Sequence, residues 1–101
     1  MNRERLLRKT KVIATIGPAC DSEERIRELI EAGMNVARLN LSHGTLDDHR
    51  ERIARVRAAS ESVGVHVAVM LDTRGVEIRT GPMAGGSVEL RPGDAFELTT
   101  E

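Results

Sequence analysis

Between Thr10 and Asp72 the hydrophobic pattern switches back and forth between two periods, and this alternation constrains the fold more than any other feature of the chain. "TKVIATIG" (10–17) is a short β-branched run closed by Gly17-Pro18, which reads as a strand and a turn. "DSEERIRELIEAG" (21–33) then places Ile26, Leu29 and Ile30 at helical spacings. Asp21 or Ser22 can cap that helix, Glu23 and Glu24 suit its positive end, and Gly33 stops it. "NVARLNLSHG" (35–44) holds a second strand. "TLDDHRERIARVRAASESVG" (45–64) is a second helix, with Thr45 and Asp48 as a capping box in which Asp replaces the usual Glu. Its inner stripe is expected to run through Leu46, His49, Ile53, Val56, Ser60 and Val63, with the arginines and acids outside. "VHVAVMLD" (65–72) is a third strand. Strand, helix, strand, helix, strand predicts a parallel α/β sheet, because parallel neighbours need a crossover, usually helical.

After Thr73 the rhythm changes. "EIRTG" (77–81), "SVEL" (87–90) and "AFELTT" (95–100) read as short strands, separated by the turn-forming "PMAGG" and "RPGD". The shift divides the chain near Gly75, into an α/β part over 1–74 and the start of a small all-β part over 75–101. The opening "MNRERLLRKTKV" lacks the apolar stretch and cleavage site of a secretory signal and reads as a short lead-in helix.

Bulk properties narrow the functional classes. In 101 residues with a net charge of -1, acids and bases nearly cancel, so no strong nucleic-acid field is expected. Phe96 is the one aromatic residue, which leaves no stacking platform for single strands. No apolar run reaches membrane-spanning length. The single cysteine, Cys20, admits no internal disulfide and fits a reducing, cytoplasmic compartment; it reads as a small loop residue. Met34 and Met70 read as core, His49 as packing, and His66 is assigned no role. Arg50, Arg52, Arg55 and Arg57 stand among Asp47, Asp48 and Glu51, the pattern of a solvated helix face.

The polar residues of the second strand need a reason. Arg38, Asn40 and Ser42 alternate with Ala37, Leu39 and Leu41, and side chains two apart in a strand share a face. Parallel strands are normally buried on both faces, and in parallel barrels the active site lies at the carboxyl ends of the strands. Asp72 and Thr73 close the third strand at the equivalent height. Asn40, Ser42, Asp72 and the Thr73 carbonyl offer oxygen ligands with one formal charge. Such a set suits a monovalent cation such as potassium better than a divalent ion or zinc. Arg38 and Arg79 carry forked donors that match phosphate oxygens. Together these point to phosphoryl chemistry. A second reading fits equally well: Arg38 pairs with Asp72 as a structural ion pair while Asn40 and Ser42 cap the following turn.

Three segments resemble a known family. "TKVIATIGPAC", "LIEAGMNVARLNLSHG" and "LDTRGVEIRTG", in this order and spacing, are similar to the N-terminal part of pyruvate kinase, from about Lys9 to Gly81. The resemblance implies the first three strands and two helices of a (β/α)8 barrel, followed by an inserted β-domain. It implies transfer of the phosphoryl group of phosphoenolpyruvate to ADP with potassium and a divalent metal, magnesium or manganese. It further implies that Arg38 binds substrate phosphate, that Asn40, Leu41, Ser42, His43 and Arg79 contact the nucleotide phosphates, and that Asn40, Ser42, Asp72 and Thr73 cage potassium. A homotetramer is the assembly it implies.

Two departures bear on these expectations. Arg74-Gly75-Val76 stands where the family usually has Lys-Gly-Pro, which loosens the hinge into the inserted domain. Glu77 matches the potassium-dependent form. The family's proton-donating lysine and divalent-metal carboxylates come from later strands, so the chain reads as a portion of the enzyme with no catalytic residue of its own. Another phosphoenolpyruvate-handling barrel and a free-standing phosphate-binding module are the competing readings.

Overall fold

A computed structural model describes residues 8–100; the expected lead-in helix over the first residues lies outside that range. Three parallel strands, β1 (Ile13–Thr15), β2 (Val36–Asn40) and β3 (Ala68–Asp72), lie side by side in chain order. Helices α1 (Glu23–Ala32) and α2 (Leu46–Val63) form the crossovers. Ile13, Val36 and Ala68 stand level across the sheet, as do Thr15, Arg38 and Met70, and Asn40 stands beside Asp72. β1 is shorter than its apolar run, but its pairing continues at both ends. Val12 O accepts from Val36 N (3.1 Å), and Ile16 N donates to Arg38 O (2.9 Å).

Local chemistry sets the helix ends. Ser22 caps α1 by accepting from Arg25 N (3.2 Å), and Gly33 ends it at φ 120°, a conformation L side chains rarely adopt. At α2 the expected capping box is formed in both directions. Thr45 N donates to Asp48 Oδ2 (2.8 Å), and Asp48 N donates to Thr45 Oγ1 (3.2 Å). Gly64 closes α2 in the left-handed region.

Both helices cover one face of the sheet. Ile16, Ala37, Leu39 and Val67 from the sheet side meet Ile26, Ile30, Val56 and Ala59 from the helices, with Met34 joining them. Three points differ from the sequence reading. Leu46 is 70% exposed, whereas Arg52 is buried with Ala59, so the inner stripe of α2 is rotated from the expected one. The cause is a partner distant in sequence: Arg52 Nε donates to Asp21 Oδ2 (3.1 Å), which lets a guanidinium replace hydrocarbon there. Met70 is 39% exposed rather than core, because it lies on the sheet face away from the helices. The short strands expected beyond Gly75 do not pair among the described residues. A strand exists through its ladder, and here Val76, Ile78 and Leu98 find neither ladder nor cover. The two turn segments do turn, Ala84–Gly86 as a 3-10 turn and Arg91 to Asp94 closed by Asp94 N→Arg91 O (3.0 Å).

Candidate phosphate and cation site

Each strand delivers polar groups to the uncovered face near its carboxyl end. Ala37 and Leu39 are buried against the helices, so the intervening Arg38 and Asn40 must point the other way. Arg38 joins all three strands. Its Nε donates to Asp72 Oδ2 (2.9 Å), its Nη2 donates to the same oxygen, and its Nη1 donates to Thr15 Oγ1 (2.9 Å). These bonds use three of the five guanidinium N–H groups and fix the plane of the fork. The two remaining N–H groups, one on each terminal nitrogen, make no protein hydrogen bond among the described residues, and guanidinium N–H groups are suited to binding an oxyanion.

Asn40 stands level with Asp72 and accepts from Ser42 N through Oδ1 (3.1 Å), while Leu41 N donates to Asp72 O (3.0 Å). The chain then turns, with His43 N donating to Asn40 O (3.3 Å) and Gly44 at φ 76°. The structural ion pair of the second reading is therefore present, and Asn40, though not the Ser42 hydroxyl, caps the following turn. They orient the row without exhausting it. The second Asp72 oxygen and the Ser42 hydroxyl carry no protein hydrogen bond among the described residues, and Asn40 Oδ1 has a further lone pair. Neutral oxygens around one carboxylate fit a weakly charged ion. Among the described residues no three His, Cys, Asp or Glu side chains gather as a metal site.

The structure brings together Arg38, Asn40, Leu41, Ser42 and Asp72. Thr73 follows Asp72 directly and is exposed, as is His43. Arg79 is not brought to the row: it lies in the exposed segment and pairs with Glu77, Nε to Oε2 at 2.9 Å. Two contributors escaped the sequence reading. Thr15 is the hydroxyl that holds Nη1 of Arg38, and it was legible as the polar residue at the end of the first apolar run. His49 is buried, and its Nε2 lies 2.6 Å from the His43 carbonyl oxygen, against the turn.

Parallel strands joined by helical crossovers, with arginine, amide and carboxylate side chains at their carboxyl ends, define a β/α barrel-type unit with a polar row at the edge where such barrels place their sites. The model of the family described as "Pyruvate kinase, barrel domain" matches residues 7–101, so the chain belongs to the pyruvate kinase family. It is 52% identical over 95 residues to pyruvate kinase from Bacillus licheniformis, covering 94% of this chain and 16% of that protein. It is 54% identical over 92 residues to the Geobacillus stearothermophilus enzyme, covering 91% and 16%. The crystal structure of Cryptosporidium parvum pyruvate kinase superposes with a TM-score of 0.75 at 47% identity, over 79% of this chain and 17% of that one. The chain thus spans about a sixth of the length of the relatives it matches. Among the described residues, no helix is long and apolar enough to cross a membrane.

Proposed function

We propose that this chain is the N-terminal portion of a pyruvate kinase that transfers the phosphoryl group of phosphoenolpyruvate to ADP, giving pyruvate and ATP in glycolysis. The observation that supports the reading is the guanidinium of Arg38, held by Asp72 through Nε and Nη2 and by Thr15 through Nη1, with one N–H on each terminal nitrogen unbonded among the described residues. Those N–H groups receive a phosphate oxygen of the substrate. Asn40, Ser42, Asp72 and Thr73 supply the oxygens for potassium, which lowers repulsion between Asp72 and the incoming phosphates. The turn Asn40 to His43 meets the nucleotide phosphates, joined by Arg79 once the segment beyond Arg74 takes up its place as the start of the inserted β-domain. In its site a divalent ion, magnesium or manganese, supplies charge neutralisation on the transferring group; its carboxylate ligands lie outside this segment.

The division at Arg74–Gly75, a cytoplasmic location and a homotetrameric assembly complete the proposal. Its test is a coupled assay of pyruvate release by the full-length protein, with phosphoenolpyruvate, ADP and magnesium, at zero and saturating potassium. Turnover that rises with potassium is expected. Absence of turnover with fresh substrates in a folded protein overturns the reading.

A further inference from the structure

Helix α2 buries four side chains, and two of them, His49 and Arg52, are polar and one turn apart. Hydrocarbon would fill such positions without the cost of desolvating a polar group. Both residues reach out of the helix to hold a loop beside the polar row. Arg52 Nε donates to Asp21 Oδ2 (3.1 Å), and Arg55 Nη1 donates to the Asp21 carbonyl (3.1 Å), which anchors the loop between β1 and α1. His49 Nε2 meets the carbonyl oxygen of His43 at 2.6 Å, in the turn between β2 and α2.

The second bond fixes the state of the ring. A carbonyl only accepts, so Nε2 carries the proton, and in the neutral ring Nδ1 is left with a lone pair. Nδ1 is buried and has no hydrogen-bond partner among the described residues. An unsatisfied buried nitrogen is a cost that packing alone does not explain. Side chains of α2 stand close against the turn. A Cβ at Gly44 would lie 3.3 Å from Asp48 Oδ2, 3.4 Å from Arg52 Nη1 and 3.6 Å from His49 Nε2, on a backbone already at φ 76°.

We propose that His49 is a positioning residue for nucleotide binding: through Nε2–H it sets the height of the Ser42–His43 backbone above the start of α2, and so the aim of the groups that meet the nucleotide phosphates. This rests on the function proposed above. Arg38, held by Asp72 and Thr15 rather than by this turn, is independent of His49, so the effect falls on one substrate and spares the other.

Two substitutions in the full-length enzyme separate positioning from packing. The amide of His49→Gln reaches about as far as Nε2 and keeps a donor for the carbonyl. His49→Asn stays polar but reaches only as far as Nδ1 and loses the bond. Thermal melting establishes that each variant is folded. The Asn variant should raise KM for ADP about fivefold or more, the loss of about one hydrogen bond. Its KM for phosphoenolpyruvate should stay within about twofold, and the Gln variant should recover most of the ADP affinity. Equal KM for ADP in wild type, Gln and Asn overturns the proposal, as does an equal rise in both substrates' KM. Should the Asn variant not fold, the 15N shifts of the wild-type imidazole decide: a ring protonated at Nδ1 instead of Nε2 overturns it. A wild type that binds neither substrate defeats the kinase reading instead, a result these arms distinguish from failure of the positioning role.

Discussion

Replacing Arg38 by lysine keeps the charge and removes the fork, which makes it the sharpest probe of the row. The guanidinium bonds Asp72 through Nε and Nη2 and Thr15 through Nη1, and a single ammonium cannot hold both partners in that plane. A hydrogen bond to a charged partner contributes roughly 1.5–3 kcal/mol when well shielded. Here the two side chains are 30% and 46% exposed, so solvent screening lowers that figure. Loss of alignment of the two remaining N–H groups then costs about 1.4 kcal/mol, or about tenfold in rate. This is a floor, because on the proposed function lysine also loses the second N–H contact to the phosphate. The assay is kcat/KM for phosphoenolpyruvate in the full-length enzyme, at saturating ADP, potassium and magnesium, with melting temperature measured in parallel. A fall of about tenfold or more, with the fold intact, is expected. Kinetics within about twofold of wild type would refute the argument and leave Arg38 as a structural tie between strands.

Three further outcomes are expected. Asp72→Ala should abolish most activation by potassium while leaving the fold intact, since it removes the one formal charge from the oxygen set; an unchanged potassium response would remove the cation site. Asp48 is held below the ordinary carboxylate range, first by the hydrogen bond from Thr45 N and then by that with the Thr45 hydroxyl. A lowered pKa stabilises the folded state above the ordinary carboxylate range, and the benefit fades as pH falls through the lowered value. Asp48→Ala should therefore melt earlier than wild type at neutral pH, and the gap should close below about pH 4; a gap that persists in acid contradicts the assignment. Finally, the 101-residue chain alone should be catalytically silent and self-associate at low micromolar concentration, because Ile13 and Met70 lie uncovered on an open parallel sheet. Sedimentation as a stable monomer would count against this.

The elements formed by local rules were legible in the sequence. Ser22, Gly33, the Thr45–Asp48 box and Gly64 each act through atoms within a few residues, and both helices begin and end where those residues place them. The direction of Arg38 and Asn40 was legible too, because a period of two leaves the polar set no other face once Ala37 and Leu39 are buried. What was not legible depends on contacts across long separations. Arg52 reads as one more solvated arginine until Asp21, 31 residues earlier, is folded against it. His49 reads as packing until the turn at His43 comes within reach of Nε2. The segments after Gly75 have the composition of strands, yet composition supplies no ladder, and no strand forms there among the described residues.

The uncovered sheet face also explains why the polar groups sit at one end. Along the strand direction its first level is Ile13, Val36 and Ala68, its second Thr15, Arg38 and Met70, and its third Asn40 and Asp72. Apolar side chains give way to polar ones toward the carboxyl edge. Because every strand is parallel, both helices also start from that edge, one after the Ser22 cap and the other after the Thr45 cap. Helix N-termini carry partial positive charge, worth roughly 0.3–1 kcal/mol to a nearby anion at exposed positions. The opposite edge carries the helix C-termini and the reverse sign. An anion is thus favoured at the edge where Arg38 presents its free N–H groups, and Asp72 keeps the guanidinium turned toward it. The same parallel topology that orders the strands therefore selects the edge, and the alternation within β2 selects the face.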